Sequence, residues 1–165
     1  MNPVYLLNEL DLLKGNTALD VGTRDGLVAT QLSKKGFAVD AIDVKECSDE
    51  SGSFNFELIS VEDFLRKNAK KYDIVVARHV LHLLNNPKEV LQGLHSISKV
   101  LFFTCFGPKD DWFGIVKTLS QEEVGSLFKP ESIKHRSEAF QYGTTYSGET
   151  KFWHINTFVI DNRDI

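Results

Sequence analysis

Up to residue 106, two hydrophobic patterns alternate along the chain. Short apolar runs predict strands at residues 17–21, 37–44, 55–60, 72–77 and 100–106. The runs at residues 72–77 and 100–106 lack polar alternation, which is typical of strands covered on both faces. Between the predicted strands, apolar residues recur at helical spacing, which predicts helices at residues 2–15, 26–36, 60–71 and 86–99. Strands that alternate with helices form parallel sheets. This part of the chain therefore predicts a parallel sheet with helices on both faces.

The pattern changes after residue 106. Residues 110–119 are ambiguous, whereas Ser120 followed by Glu123 predicts a capping box and a helix at residues 120–128. Residues 132–140 and 151–160 predict two strands joined without a helix, and such strands pair antiparallel. The expected fold class is α/β: a single domain with a doubly wound, Rossmann-like, mainly parallel sheet in three layers (α/β/α) and an antiparallel C-terminal hairpin.

Capping residues mark the predicted ends of several helices. Asn2 followed by Pro3 predicts the start of the first helix, and Gly15 predicts its end. Ser60 is predicted to cap the third helix, with an acid three residues later. Asn86, which precedes a proline, is predicted to start the fourth.

Length and charge narrow the class of protein. The 165 residues are most simply one domain, and the net charge of -4 argues against a nucleic-acid surface, which needs a basic face. No apolar stretch approaches the roughly 20 residues of a membrane span, and no basic region precedes the first leucines, so no secretory signal is expected. Cys47 and Cys105 lack disulfide or metal-ligand spacing. We expect a cytoplasmic protein in a reducing compartment.

The loop after the first predicted strand carries the main chemical signal. Ligands of parallel sheets bind at the carboxyl ends of the strands, where the sequence LDVGTRDG (residues 19–26) lies. A dinucleotide fingerprint G-x-G-x-x-G beginning at Gly22 would need glycine at Arg24 and Leu27. Both positions fail, which disfavours a nicotinamide cofactor and leaves an oxidoreductase as a weak alternative.

The same loop resembles the first motif of class I S-adenosylmethionine (SAM)-dependent methyltransferases, an acid followed by x-G-x-G-x-G. Asp20, Gly22 and Gly26 match, and Arg24 replaces a glycine. The sequences VDAIDV (residues 39–44), ISVEDF (59–64) and YDIVVARHVLHLLNNP (72–87) resemble the family's later motifs in the expected order. The small type-11 and tellurite-resistance-like branch is the most similar.

This resemblance implies a function and a set of binding residues. It implies transfer of a methyl group from SAM to an unidentified, small-molecule acceptor, leaving S-adenosylhomocysteine (SAH). In the family, the acid at the end of the second strand accepts hydrogen bonds from both ribose hydroxyls. The cofactor-binding positions implied here are Asp20, Gly22, Thr23, Arg24, Gly26, Asp43, Val44, Ser60, Val61 and Arg78. Residues 1–16 then form an N-terminal helix, residues 17–106 the cofactor-binding part, and residues 107–165 the acceptor-side insert and hairpin.

Three positions admit more than one interpretation. Arg24 could point outward, bind the cofactor's carboxylate, or block the site. Ser60 stands where the family often has an aspartate that contacts the adenine amine, but it is equally well explained as a helix cap. Asp20 could serve the cofactor or only cap the amides of the loop.

The residues for catalysis are less defined. His79 and His82 follow the fourth strand and are candidate general bases, although they could equally pack and cap the next helix. They lack a third partner at metal-ligand spacing, so no metal is expected. Trp112 and Phe113 could form an apolar wall for the acceptor or belong to the core.

The acceptor pocket and the assembly state are also left open by the sequence. With one short helix before the first motif, the pocket is expected to be open, covered by mobile residues, or completed by a second subunit. The protein is therefore expected to be a monomer or a homodimer. The principal alternative to an enzyme is a degenerate, non-catalytic domain of the same fold that acts as a binding or scaffold protein.

Overall fold

The computed structural model describes residues 1–49 and 52–163. Its strands are β1 (Thr17–Val21), β2 (Ala38–Asp43), β3 (Asn55–Leu58), β4 (Tyr72–Ala77), β5 (Ser98–Phe106), β6 (Ile133–Thr144) and β7 (Thr150–Asp161). Its α-helices are α1 (Pro3–Glu9), α2 (Leu27–Lys34), α3 (Val61–Lys67), α4 (Pro87–Ser96) and α5 (Gln121–Gly125). Short 3₁₀ turns lie at Leu81–Leu83 and Pro130–Ser132.

The seven strands form one sheet in the order β3-β2-β1-β4-β5-β7-β6. The pairs among β1 to β5 are parallel, and β7 runs antiparallel to both β5 and β6. The strand order reverses between β1 and β4, so the carboxyl ends of these two strands flank the crevice in which such sheets bind ligands. The predicted fold class is confirmed.

The apolar core lies on both faces of the sheet. In β4, Val75 and Ala77 pack in the cluster that includes Leu91 of α4, whereas Ile74 and Val76 pack in the cluster on the opposite face with α1 and α2. Successive strand residues point to opposite faces. A strand buried on both faces therefore shows no polar alternation, as this run predicted.

Three of the four predicted caps are present, and one is not. The Asn2 side chain accepts a hydrogen bond from the Tyr5 amide at 3.1 Å, as predicted for the start of α1. The Ser60 side chain accepts a hydrogen bond from the Asp63 amide at 3.1 Å, and Ser120 forms a reciprocal capping box with Glu123. Asn86 precedes α4, but its side chain makes no capping hydrogen bond, so Pro87 alone marks that start.

The end of the first helix was predicted wrongly. α1 ends at Glu9 rather than before Gly15, because the Leu12 amide donates to the Leu7 carbonyl and turns Leu12 into the core. Gly15 has a different role. A Cβ on this residue would overlap the Asp73 side chain, so glycine permits the close approach of this loop to β4.

The antiparallel hairpin is longer than predicted, and it projects beyond the sheet. The last β5 pair joins Phe106 to Ile155, whereas β6 and β7 continue to pair as far as Thr144 and Thr150. At about 3.4 Å per residue, this extension reaches roughly 17 Å past the carboxyl end of β5. We call residues 140–154 the hairpin arm. Cross-strand aromatic contacts on one face of the arm support it, among them Phe140 with His154 at 4.5 Å between ring centroids.

Residues 110–119 form turns with one isolated bridge between Phe113 and Val116, and they contain no helix. None of the helices in the described ranges is long and apolar enough to cross a membrane. Within residues 1–49 and 52–163, no three His, Cys, Asp or Glu side chains are grouped so as to hold a metal ion. Cys47 and Cys105 are both free thiols.

Candidate ligand site at the carboxyl edge of the sheet

The glycine loop connects β1 to α2 at this edge. Gly22, Arg24 and Gly26 all adopt positive φ angles, of 69°, 59° and 79°. A Cβ on Gly22 would lie 3.0 Å from Val80, and one on Gly26 would lie 2.7 Å from Phe54. Glycine at these two positions therefore satisfies both the backbone conformation and the close packing of neighbouring loops.

Arg24 adopts the conformation of the glycine that it replaces. A left-handed φ at a residue with a Cβ costs on the order of 1 kcal/mol or more. Its amide donates a hydrogen bond to Asp43 Oδ2 at 2.8 Å. Its exposed side chain extends to the turn of the hairpin, where the guanidinium carbon lies 3.3 Å from the ring centroid of Tyr146. The contact with Tyr146 had no signal in the sequence, because the two residues are far apart in the chain.

Asp43 ends β2 beside the glycine loop. Besides the Arg24 amide on Oδ2, it accepts the Lys45 amide on Oδ1 at 3.1 Å. A carboxylate oxygen has two lone pairs, so each oxygen can accept one further hydrogen bond. The site thus presents a fixed carboxylate with two free acceptor positions, next to the exposed side chain of Val44.

Asp20 lies beneath the loop and is almost fully buried. Its Oδ2 accepts the Thr23 hydroxyl hydrogen at 2.7 Å. Burial raises the pKa of Asp20 to about 7, against the opposing effects of this hydrogen bond, of a hydrogen bond from the Ala29 backbone and of the Arg78 charge. Asp20 therefore stabilises the loop and also places a titratable group behind it.

Arg78 directly follows β4, and its positive charge acts to lower the pKa of Asp20. The Nε atom of Arg78 is buried and has no hydrogen-bond partner within the part of the chain that the structure describes. A buried donor without a partner costs about 1–3 kcal/mol. Such a donor is suited to an anionic ligand group, because guanidinium–carboxylate hydrogen bonds are among the strongest in proteins.

The segment at the start of α3 lies beside Asp43, since the Ile59 amide donates to the Asp43 carbonyl at 2.8 Å. Ser60 uses its hydroxyl as the cap of α3. The Val61 side chain is buried in the core cluster that includes Leu91. Among residues 59–61, Ser60 alone has a polar side chain.

His79 and His82 lie past β4, next to the end of β5. His79 has a φ of 54°, and its amide donates to Thr104 Oγ1 at 2.9 Å. The ring of His82 packs 4.4 Å from that of Phe106, between centroids, and its Nδ1 is buried without a partner among the described residues. Burial lowers the pKa of both imidazoles to about 4. Both rings are therefore neutral near pH 7.

A buried ion pair lies next to these histidines, and no pattern in the sequence predicted it. Asp110 accepts hydrogen bonds from the Lys151 ammonium, the Trp112 amide at 3.0 Å and the His154 amide at 2.9 Å. The Lys151 ammonium also lies 3.8 Å from the ring centroid of Trp153. A lysine at the start of an apolar run is ordinarily exposed, which explains why its burial could not be predicted.

Trp112 and Phe113 were the two residues predicted as a possible wall for the acceptor, and only Trp112 packs beside Phe106 and His82. Its ring centroid is 5.8 Å from that of Phe106 and 6.2 Å from that of His82. Phe113, in contrast, is 63% exposed. Trp112 and His82 are half-buried and pack on the buried ring of Phe106, so these two side chains present an aromatic surface at the end of β5.

A cavity of about 570 Å³ lies elsewhere, between β2, β3 and α3, where Asp40, Phe56 and Tyr72 are among the lining residues. Asp40 already accepts hydrogen bonds from Tyr72 and Lys70. Because its polar groups bind one another, we assign the candidate site to the carboxyl edge, which offers free donors and acceptors.

The fold and this edge define an open parallel-sheet protein with an acid-and-glycine loop and a second acid at the end of β2. The sequence model of the methyltransferase domain family matches residues 4–146. The chain therefore belongs to this family, and the predicted resemblance is confirmed.

The curated relatives match only part of this chain, and their sequence identity to it is low. A ubiquinone biosynthesis O-methyltransferase of Actinobacillus pleuropneumoniae serotype 7 (strain AP76) is 28% identical over 127 residues, which cover 62% of this chain and 54% of the relative. One from Coxiella burnetii (strain RSA 493) is 27% identical over 124 residues, covering 63% and 53%. The chain thus spans about half the length of the curated relatives it matches.

Solved structures of methyltransferases share the fold. Magnesium protoporphyrin IX methyltransferase from Synechocystis PCC 6803, solved with bound SAM, has a TM-score of 0.64 at 18% identity and covers 96% of this chain and 76% of its own. A plantazolicin methyltransferase, in complex with a triazolic substrate analogue and SAH, has a TM-score of 0.67 at 14% identity, with 97% and 84% covered.

Proposed function

We propose that this protein is a SAM-dependent methyltransferase that acts on a small-molecule acceptor. The observation that carries the proposal is the pairing, at one edge of the sheet, of a fixed carboxylate with free acceptor positions (Asp43) and a buried guanidinium donor without a partner (Arg78 Nε). A ligand with adjacent hydroxyls and a carboxylate matches these two groups. Family membership and the structural neighbours with bound SAM or SAH support the same cofactor.

Every implied binding residue except Arg24 has a place in this proposal. Asp43 accepts the two ribose hydroxyls, and Arg78 binds the carboxylate of the methionine part. The loop residues Gly22, Thr23 and Gly26 bring the backbone close to the ligand, with Asp20 behind them as the partner of the ammonium group. The adenine is flanked by Val44, Ser60 and Val61.

The protein's own contribution to the reaction is small. SAM supplies a methyl group that is already activated, so the protein mainly orients an acceptor atom and excludes water. An acceptor that must lose a proton needs a base. His82 and His79 are neutral at pH 7 and can accept one. His82 is the better candidate, because its Nδ1 has no partner among the described residues, whereas His79 Nδ1 lies 3.4 Å from Thr104 Oγ1.

For the acceptor we propose a chemical class, and for the cellular setting a compartment and an assembly state. The aromatic surface formed by Trp112 and His82 over Phe106 suits a small, partly apolar acceptor. The net charge of -4 supports a small molecule rather than a nucleic acid. We further propose a cytoplasmic monomer or homodimer.

Calorimetric titration of the protein with SAM and SAH tests this function. Both ligands are expected to bind with micromolar affinity. Asp43→Ala should weaken binding about 100-fold or more, because it removes two hydrogen bonds to a charged acceptor, each worth about 1.5–3 kcal/mol.

Asp40→Ala is the matched control, since Asp40 lies in the same strand but bonds Tyr72 and Lys70 instead of facing the loop. Its ligand affinity should equal that of the wild type. A wild-type protein that binds neither ligand would refute the proposal and favour the non-catalytic scaffold. Equal weakening by both variants would show that Asp43 has no specific role.

A further inference from the structure

The tip of the hairpin arm reaches across the carboxyl edge of the sheet to the glycine loop. Its turn, residues 145–149, places Tyr146 against the Arg24 guanidinium at 3.3 Å from the ring centroid. The backbone of the same arginine is hydrogen-bonded to Asp43. Arg24 therefore contacts both Tyr146 and Asp43, the residue whose carboxylate we assign to the ribose.

From this contact we infer that Tyr146 is a residue of the cofactor site, that Arg24 holds it there, and that the arm tip covers the bound cofactor. The inference rests on the function proposed above and adds a binding residue that the glycine loop and the later strand ends do not contain. It also assigns a role to the arginine that departs from the family's glycine.

The arm has the rigidity that a cover requires. At its base, the His154 amide donates to Asp110 of the segment after β5 at 2.9 Å, and nearer the tip Lys151 forms a buried ion pair with the same carboxylate. In the turn, the Thr145 amide donates to the Glu149 carbonyl at 2.9 Å, and the Gly148 amide donates to the Thr145 carbonyl at 3.0 Å. The arm is thus anchored to the segment after β5, and its turn is hydrogen-bonded internally.

The conformation of Arg24 supports a role for its side chain. Glycine would adopt the φ of 59° without strain. Strained residues persist where the surrounding structure fixes them, and they concentrate at functional sites. Here the hydrogen bond from the Arg24 amide to Asp43 fixes its backbone, and the ring of Tyr146 fixes its side chain.

The arrangement also leaves the site accessible. The guanidinium lies on the Tyr146 ring, so it occupies neither the free acceptor positions of Asp43 nor the Nε donor of Arg78. Tyr146 itself is 88% exposed, which leaves most of its surface free to contact a ligand. A cofactor would therefore bind beneath the tip, and its release would require the tip to move away from Arg24.

The test measures the equilibrium affinity and the dissociation rate of SAH for the wild type and four variants. Tyr146→Ala and Arg24→Gly should each raise the dissociation rate about 3- to 30-fold, the range that a cation–π contact supports. The double variant should match the single ones, because either change releases the same contact. Tyr146→Phe should behave like the wild type, since it keeps the ring.

Arg24→Gly retains the amide that binds Asp43 and suits the positive φ, so it removes the side chain alone. Tyr142→Ala is the matched control, because Tyr142 is an exposed tyrosine of the same arm that contacts Phe152 instead. Its SAH kinetics should not change.

Two results would overturn the inference while leaving the proposed function intact. If Tyr146→Ala and Arg24→Gly release SAH at the wild-type rate, the tip does not cover the site. If they bind SAH more tightly, the contact obstructs the site rather than covering it. A wild-type protein that binds no SAH would instead refute the proposed function, and the inference with it.

Discussion

The glycine loop and the hairpin arm lie at the same edge of the sheet but are built in different ways. The loop is fixed by backbone conformation and by residues close in sequence, such as Asp20 with Thr23. The arm is fixed by side chains that are distant in sequence, such as Asp110 with Lys151. The motif of the loop lies in one short stretch of sequence, although its amides also bond to β2, as Arg24 does to Asp43. The contacts of the arm, in contrast, join residues that only the folded sheet brings together.

Because of this difference, we expect the loop to determine how a ligand binds and the arm to determine how slowly it is released. The loop and its neighbours offer donors and acceptors whose positions do not depend on the arm. The arm offers a cover whose position depends on a few buried polar contacts. Loss of those contacts should loosen the cover and destabilise the fold while leaving the loop intact, and the following predictions test this separation.

The largest effect is expected from Asp110→Ala. The substitution leaves the buried Lys151 ammonium and the amides of Trp112 and His154 without their acceptor. Removing one member of a buried ion pair costs about 3–5 kcal/mol. Denaturant unfolding should show a decrease of this size in the free energy of unfolding.

Asp111→Ala provides the control for this measurement. Asp111 also accepts an arm amide, that of Phe152 at 2.7 Å, but it is exposed. Its loss should cost about 1 kcal/mol. Equal costs for the two variants would mean that the buried ion pair does not hold the arm, and the distinction between loop and arm would fail.

A smaller effect, confined to the loop, is expected from the titration of Asp20. Burial raises its pKa to about 7, and ionised Asp20 is the form that attracts the ammonium group of SAH. Above pH 7 this carboxylate is already ionised, so affinity should be constant. Below pH 7 a proton must be displaced, and affinity should fall by up to tenfold for each pH unit.

Titrations with SAH between pH 5.5 and 8.5 check this prediction. Asp20→Asn should bind more weakly and without the pH dependence. Asp11→Asn is the control, because Asp11 is exposed and its carboxylate pairs with Lys14, away from the glycine loop. A pH profile that persists in Asp20→Asn would assign the titration to another group.

Stability should respond to pH in the opposite sense. The folded protein holds the Asp20 proton up to about pH 7, whereas the unfolded chain loses it near pH 4. The unfavourable contribution of the buried carboxylate is thus absent below pH 4, grows between pH 4 and 7, and is complete above pH 7. Asp20→Asn should become relatively more stable than the wild type across this range.

The same distinction explains what the sequence could predict. The strands of the parallel sheet followed from short apolar runs, and the caps Ser60 and Ser120 followed from an acid three residues later. These signals are local. The early end of α1 depends on Leu12 turning into the core, and the burial of Lys151 depends on Asp110. Neither contact leaves a pattern in adjacent residues.

The candidate site divides in the same way. The glycine loop and Asp43 could be assigned from motifs, because their spacing follows from the strand–loop–helix units that hold them. The unpartnered Nε of Arg78 and the stacking of Arg24 on Tyr146 required coordinates. Arg24 was recognised as a departure from the family, but its partner lies in the turn of the arm, and no periodicity relates the two positions.

The smallest effect is expected from Ser60→Ala, and it decides between the two interpretations of this residue. Ser60 caps α3 by accepting the Asp63 amide, and Ser120 caps α5 in the same way, each at 3.1 Å. Replacing such a cap with alanine costs about 1 kcal/mol of stability. Ser60→Ala and Ser120→Ala should therefore lower the free energy of unfolding by similar amounts.

Only the ligand measurement separates the two residues, because Ser60 lies next to Asp43 at the carboxyl edge, whereas Ser120 caps α5 between β5 and β6. If the Ser60 hydroxyl serves α3 alone, neither variant should alter the affinity for SAH. If Ser60→Ala weakens SAH binding while Ser120→Ala does not, the hydroxyl also contacts the adenine. In that case the Ser60 side chain would both cap α3 and bind the ligand, just as Arg24 belongs to the glycine loop and also contacts the arm.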